Sequence, residues 1–177
     1  MGIFTTRSSL PAQPTSGRPA HQRGVAAIEF ALVFLLGVLP LLLLTFSGFL
    51  IFAAKQSLTL AASEGARAAL HYGTIAQRQT FACQAAQQSM QWLLTFSNES
   101  SKVNCAVPQP PGTAYIPIAV SAAAPCASTP SVQCITVVTS FDYNNHPFLP
   151  GTTTVYGWLV KQALSSSATV QLDSQNS

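Results

Sequence analysis

A long run of uncharged residues is the feature that most constrains this chain. The 25 residues at positions 30–54 include no Asp, Glu, Lys or Arg. An α-helix rises about 1.5 Å per residue, so about 20 residues cross a hydrocarbon core of about 30 Å. Residues 30–50 satisfy that length, whereas the later apolar runs are short and broken by Pro, Ser or Thr. The sequence therefore predicts a single membrane span.

The distribution of charge predicts the orientation of that span. The first 24 residues contain Arg7, Arg18 and Arg23 and no acid. From residue 25 onward, five basic and five acidic side chains balance each other. Because positive flanks stay in the cytoplasm, we expect a cytoplasmic N-terminus and an extracytoplasmic C-terminal domain. A neutral outer domain lacks the basic surface with which proteins bind nucleic acid, so no nucleic-acid partner is expected.

The chain divides by composition into three segments. Residues 1–24 form a basic leader, and its Pro-, Ser- and Thr-rich part, up to residue 22, is expected to be disordered. Residues 25–54 are predicted to form the transmembrane helix. Residues 55–177 are predicted to form an extracytoplasmic α+β domain.

The transmembrane helix is expected to continue into water, with Gly73 as its stop or as a hinge. On its outer part, Glu64 and Arg67 are spaced to pair on one helical face. That pair is either a solvated ion pair or a contact between subunits. Small residues on the same part of the helix permit close approach of a packing partner: Ala61, Ala62, Gly65, Ala66, Ala68 and Ala69.

The outer domain is predicted to add a second helix and a small β-sheet. The second helix is expected at residues 76–95. The strongest strand signal is "VQCITVVTSFDY" at residues 132–143, which is rich in β-branched and aromatic residues and is followed by a turn at residues 144–147. Further elements are predicted as strands at residues 101–107, 115–122 and 166–173 and as a short helix at residues 155–164. Pro117 places the strand at residues 115–122 at a sheet edge.

Four cysteines follow the span and none precedes it: Cys83, Cys105, Cys126 and Cys134. An even number of cysteines on the exported side predicts two disulfides, and the alternative is four buried thiols. Four cysteines can pair in three ways, and the sequence alone does not choose among them. We prefer Cys126–Cys134, which closes a short loop, with Cys83–Cys105 joining the second helix to the first strand. The spacing includes no CxxC and no nearby pair of histidines, so no metal site is expected.

An acidic residue lies at the N-terminal end of the predicted span. Glu29 directly precedes the uncharged run and follows Gly24 by five residues. A charge at the membrane centre costs about 2.5–3.5 kcal/mol on insertion scales, and less near the edge. Two interpretations are open: an interfacial acid favoured by the positive end of the helix dipole, or a carboxylate that pairs with a positive group inside the membrane.

The segment "RGVAAIEFAL" resembles the processing signal of type IV prepilins. It has a basic leader, a glycine, five residues that end in glutamate, an aromatic residue and a long apolar helix. The resemblance implies that a prepilin peptidase cuts between Gly24 and Val25 on the cytoplasmic side. It also implies that Glu29 meets the new α-amino group of Val25 on a neighbouring subunit. Phe30 belongs to the same assembly segment and stands where these proteins often have tyrosine.

Residues 23–73 resemble the TadE-like family of the tight-adherence (Flp) pilus system. The resemblance is carried by "AAIEFAL", by the proline-interrupted Leu-rich span and by "AASEGARAAL"; the later "CITVVTSFDYNNHPFLPG" is similar more loosely. It implies a pilin-like α+β fold in the bacterial inner membrane, with other pilins and pilus-assembly proteins as partners. The implied role is that of a pseudopilin in pilus assembly. The alternative is an unprocessed membrane-anchored scaffold of a pilus or secretion complex.

A membrane-tethered enzyme is a third hypothesis with little support. The three histidines stand far apart, and no Ser-His-Asp or HExxH pattern occurs. Beyond the helical region the acidic residues are Glu99, Asp142 and Asp173. None of them has a basic residue at a spacing that is typical of a catalytic site. We therefore expect no catalysis, no cofactor and no small-molecule substrate.

Overall fold

The structure, a computed structural model, describes residues 22–112, 114–157 and 163–172. It has the α+β architecture predicted from the sequence: a long N-terminal apolar helix, further helices and a small antiparallel sheet. The chain divides into two compact units, Met1–Leu42 and Leu43–Ser177. Most of the predicted leader lies outside the described residues, so its disorder stays a prediction, as do the limits of the three predicted segments.

The first unit is helical throughout its described residues. Helix α1 (Gln22–Val33) is followed by a π-helical turn (Phe34–Val38) and by the first residues of helix α2 (Leu39–Ala68). The π-helical turn lies just before Pro40, which has no N–H to donate to the carbonyl of Leu36, and this missing bond accounts for the wider turn. Within the described residues, Gly24–Ala68 is the one helix long and apolar enough to cross a membrane. This helix fits a single-pass membrane protein.

Helix α2 ends earlier than the sequence predicts. Helix α2 stops at Ala68, and a turn leads through Gly73 to the next helix. The φ angle of Gly73 is 153°, and a Cβ at this position would lie 2.8 Å from Gln77 Oε1. Thr74 then begins helix α3 with a capping box: its hydroxyl accepts from the Gln77 backbone N–H, and the Gln77 side chain accepts from the Thr74 N–H. Gly73 therefore marks the connection between the helices.

The second helix predicted at residues 76–95 is divided into two, α3 (Ile75–Ser89) and α4 (Gln91–Phe96). Met90 interrupts them with φ −113° and ψ 18°. At and just after the interruption, Met90, Leu93 and Leu94 are all buried. The local pattern favours one continuous helix. The burial of these three large side chains stabilises the fold by more than the backbone hydrogen bonds that an unbroken helix would add.

Strand β3 (Gln133–Phe141) is the centre of the sheet and confirms the strongest strand prediction. It pairs antiparallel with β1 (Ile118–Val120), β2 (Ala124–Pro125) and β4 (Leu164–Leu172). The register places Val137 opposite both Val120 of β1 and Ala168 of β4. Burial alternates along β3 because one face covers the helices, and the inward residues are Ile135, Val137, Thr139 and Phe141.

One predicted element does not form, and another is displaced where the structure describes it. Residues 101–107 do not form a strand; a 3-10 turn (Ser100–Lys102) is followed by an irregular segment. The side-chain oxygen of Asn104 accepts from the Ala106 N–H, and the disulfide of Cys105 holds this segment, so local strand propensity is overridden. The helix predicted at residues 155–164 is instead α5 (Thr152–Tyr156); residues 158–162 lie outside the described residues, and Leu164 already pairs with Phe141 in β4.

The core lies where helix α2 meets helix α3 and the inner face of the sheet. Gly65 is the point of closest approach: a Cβ there would lie 2.9 Å from the Ala82 carbonyl oxygen and 3.0 Å from Val137 Cγ1. About two turns earlier on helix α2, the Thr139 hydroxyl donates to the Leu58 carbonyl oxygen at 2.9 Å. The prediction that small residues on α2 permit close packing is confirmed; those buried are Ala61, Ala62, Gly65, Ala66 and Ala69.

Candidate assembly site

The predicted processing site lies in the first turns of helix α1. Gly24 and Val25 are both exposed. Among the described residues, no atom outside the local helix lies within 4 Å of the position that a Cβ on Gly24 would occupy. The cleavage after Gly24 stays a prediction.

Glu29 lies one to two turns later on the same helix. Its side chain is exposed, and within the described part of the chain it has no hydrogen-bond or salt-bridge partner. The next residue, Phe30, is 72% exposed and stacks on Phe34 with ring centroids 6.3 Å apart. The described residues thus supply no counter-charge for the Glu29 carboxylate.

The surface around Glu29 is continuous and apolar. All residues at positions 24–46 are exposed, and Ser47 is the first buried residue of the helix. Apolar surface of this extent is covered by lipid or by other apolar helices, because water does not solvate it favourably. The large exposed hydrophobic side chains of this stretch are Val25, Ile28, Phe30, Leu32, Val33, Phe34, Leu35, Leu36, Val38, Leu39, Leu41, Leu42, Leu43, Leu44 and Phe46.

Glu64 and Arg67 form the ion pair that their spacing predicts. Arg67 Nη1 lies 2.9 Å from Glu64 Oε1, near the C-terminal end of helix α2. The Arg67 side chain is 75% exposed, so water screens the pair and its contribution to stability is small. The geometry fits a solvated pair and leaves the Arg67 guanidinium open to a second acceptor.

Glu99 is a buried carboxylate in the C-terminal domain that the sequence patterns did not single out. Its side chain is 3% exposed. Lys102 Nζ donates to Glu99 Oε1 at 2.9 Å, and the Tyr115 hydroxyl donates to Glu99 Oε2 at 2.7 Å. The spacing of Glu99 and Lys102 is a sequence signal for the first contact, whereas Tyr115 is 16 residues away and only the fold brings it there.

Burial alone would raise the pKa of Glu99, but the hydrogen bonds and charge outweigh it. Bonds from Lys102 and Tyr115, together with the Lys102 charge, hold the pKa of Glu99 below its ordinary value of 4.5. Burial and the Glu99 carboxylate raise the pKa of Tyr115 far above its usual range, so Tyr115 stays protonated and remains a donor. Both carboxylate oxygens are therefore occupied, and the cluster ties the segment before β1 to the end of helix α4.

The described residues offer no arrangement that would hold a metal ion: no group of three or more His, Cys, Asp or Glu side chains converges among them. The four cysteines are joined as Cys83–Cys105 and Cys126–Cys134, the pairing preferred from the sequence, with Cα atoms 5.4 and 5.1 Å apart. The second pair closes a loop between β2 and β3. The first joins helix α3 to the irregular segment where a strand was predicted.

The comparison with known families concerns the helix that carries these residues. The model of the family described as TadE-like protein matches residues 24–67. No curated protein and no solved structure matches the chain. The match begins at the predicted processing glycine, includes Glu29, and ends at Arg67, so it covers the exposed apolar helix and the small-residue face that packs on the domain. The match includes "AAIEFAL" and the "AASEGAR" part of "AASEGARAAL", and it does not reach the looser similarity at residues 134–151. The resemblance is therefore confirmed over residues 24–67, where this chain matches the TadE-like protein family.

Proposed function

We propose that this chain is a pseudopilin that takes part in assembling a tight-adherence (Flp) pilus. The family match over residues 24–67 indicates a function related to that pilus, in a family that is structural rather than catalytic. The finer role rests on one observation: Glu29 lies on an exposed apolar helix and finds no partner among the described residues.

An unpaired carboxylate within apolar surroundings is unfavourable, so a positive group from outside the described chain has to approach it. Cleavage after Gly24 creates such a group, the α-amine of Val25. Val25 and Glu29 are four residues apart, which is about 6 Å along a helix. The amine of one subunit therefore meets the carboxylate of a neighbour when the two helices shift by about that distance. The pair sets the register of subunits rather than adding much net stability.

The proposal includes the partners and the location of the chain. The leader faces the cytoplasm, where a prepilin peptidase removes it, and the outer domain faces the periplasm. The helix remains in the bacterial inner membrane until other pilins and pilus-assembly proteins engage its exposed face. This chain catalyses no reaction; its contribution is lateral packing of apolar helices with a charge pair that selects one alignment.

Substitution of Glu29 tests the proposal. Glu29→Gln is nearly isosteric and removes the charge, so the neighbour's amine loses its counter-charge. Loss of one partner of a buried pair costs about 3–5 kcal/mol, and less where water reaches the membrane edge. The variant is expected to insert, to be cleaved and to form both disulfides, yet to assemble poorly. Co-purification with pilus components and surface pilus formation are measured at matched protein levels.

Ala27→Gln is the matched control, because it adds the same amide to the same exposed helix and leaves Glu29 in place. We expect near-normal assembly from it and a partial defect from Glu29→Asp, which keeps the charge but shortens the reach. Normal assembly of Glu29→Gln would contradict the register role. An intact leader on the wild-type chain in cells that contain the peptidase would favour the anchored scaffold instead.

A further inference from the structure

The loop at residues 143–157 packs along the part of helix α2 that immediately follows the exposed apolar stretch. The Tyr156 hydroxyl donates to the Leu44 carbonyl oxygen at 2.7 Å. The hydroxyls of Ser47 and Tyr143 lie 3.4 Å apart, and the Tyr143 hydroxyl lies 2.9 Å from Thr152 Oγ1. Ser47 is fully buried beneath the loop. The outer domain therefore reaches helix α2 at positions 44–47.

The loop at residues 143–157 has no acidic residue, lysine or arginine of its own, and the first charge on helix α2 is Lys55. The helix itself exposes Phe46, Phe49 and Phe52 here. A neutral surface with aromatic rings and hydroxyl groups is typical of protein that lies at the level of lipid headgroups.

The contacts at Leu44 and Ser47 conflict with a span at residues 30–50. Such a span would place the loop inside the hydrocarbon core. Irregular backbone exposed to lipid does not occur there, because its polar groups find no partners. In this loop Pro150 and Gly151, which precede the short helix α5, are exposed. The outer boundary of the hydrocarbon therefore has to lie no further along the helix than the Tyr156 contact.

We propose that the loop at residues 143–157 rests on the phospholipid headgroups of the outer leaflet and that residues 25–44 form the hydrocarbon-spanning segment. These 20 residues give about 30 Å of helix, the thickness of the core, and they begin directly after Arg23 and Gly24. Glu29 then lies about 6 Å inside the inner boundary, counting four helical residues from Val25. The inference rests on the single-pass topology of the proposed function. It deepens that proposal because the Glu29 carboxylate then lies inside the hydrocarbon core and not at the membrane boundary.

Spin-label depth measurements test the placement. Because all four cysteines are in disulfides, one added cysteine is labelled with a nitroxide without reducing agent. Pro150→Cys reports on the loop, and Tyr72→Cys, at a residue 82% exposed and far along the chain, reports on water. Leu36→Cys reports on the membrane interior. The full chain is reconstituted in vesicles of phosphatidylethanolamine and phosphatidylglycerol, and collision rates with oxygen and with a water-soluble nickel chelate are measured.

The expected result is a label at position 150 that collides with the nickel chelate several-fold less often than the label at position 72. Its depth should lie at the headgroup level, well above that of the label at position 36. A second loop variant, Thr154→Cys, should give the same depth, and it keeps the test decisive when Pro150→Cys does not fold.

Three results would overturn the proposal. A loop label as accessible as that at position 72 would place the loop away from lipid. A loop label as deep as that at position 36 would move the membrane boundary outward. Protection that disappears when the protein is diluted in excess lipid would assign the surface to a second copy of the chain. None of these results depends on pilus assembly, and the label at position 36 reports insertion by itself, so failure here is distinguishable from failure of the proposed function.

Discussion

Removal of the Tyr115 hydroxyl is the perturbation whose effect the structure defines best. In Tyr115→Phe, Glu99 Oε2 loses a donor at 2.7 Å, and the Asp142 N–H loses an acceptor at 3.2 Å. Hydrogen bonds to charged groups are worth about 1.5–3 kcal/mol and neutral ones about 0.5–1.5 kcal/mol. Because Glu99 is buried, water does not replace the donor. We expect the free energy of unfolding to fall by about 2–4 kcal/mol at neutral pH.

The effect should depend on pH in a direction that follows from the pKa of Glu99. That pKa lies below its ordinary value of 4.5 in the folded chain, so the ionised carboxylate stabilises the fold above pH 4.5. This stability is lost as the pH falls below 4.5 through the folded pKa. Tyr115→Phe removes one of the bonds that lower the pKa, so the variant has less stability to lose on acidification. The difference between variant and wild type should therefore narrow below pH 4.5.

The assay is equilibrium unfolding by urea of the full chain in mild detergent, with the disulfides intact and tryptophan fluorescence as the signal. Tyr72→Phe is the control, because Tyr72 is 82% exposed and its substitution should change stability by no more than about 0.5 kcal/mol. Equal stability of Tyr115→Phe and wild type at neutral pH would refute the reasoning. A loss that stays the same size down to acidic pH would show that it does not arise from the ionised Glu99.

Three further predictions concern single features of the chain. Gly24→Leu should block processing, because the bulky side chain hinders the peptidase; N-terminal sequencing should then find the leader intact, and a mature chain starting at Val25 would contradict this. Gly65→Val should lower the free energy of unfolding by about 1–3 kcal/mol through overpacking, measured by the same urea assay; unchanged stability would show that helix α2 is not packed closely there. Replacement of Cys83 and Cys105 together by Ser should cost about 3 kcal/mol, since the disulfide closes a loop with a sequence separation of 22; thermal unfolding of the oxidised proteins provides the check, and equal midpoints would argue against this stabilisation.

Several features of the fold followed from local sequence because their causes are local. In lipid, an uncharged run long enough to cross the hydrocarbon core forms a helix, because a helix satisfies all of its backbone hydrogen bonds internally. The β-branched segment at residues 132–143 became strand β3, whose alternating residues cover the core. The small residues of helix α2 permitted close approach, and the structure shows Gly65 at that contact.

Other features depended on contacts between distant residues. The segment at residues 101–107 has strand-forming side chains, yet Cys105 is bonded to Cys83 and Lys102 to Glu99, and these bonds hold a turn. The role of Glu99 was invisible in the sequence because burial, which raises its pKa, and the Tyr115 donor, which lowers it, are both products of folding.

The sequence by itself predicted one apolar helix with an acid at its start and, from the even number of cysteines that follow it, two disulfides. These predictions follow from composition and spacing, whereas the TadE-like character of the N-terminal segment rests on its resemblance to that family. Only the tertiary structure decided where the C-terminal domain first meets helix α2. The contacts of Tyr143 with Ser47 and of Tyr156 with Leu44 join residues 96 and 112 positions apart. Hydropathy records how far a helix remains apolar, but only packing determines how much of that length another part of the chain already covers.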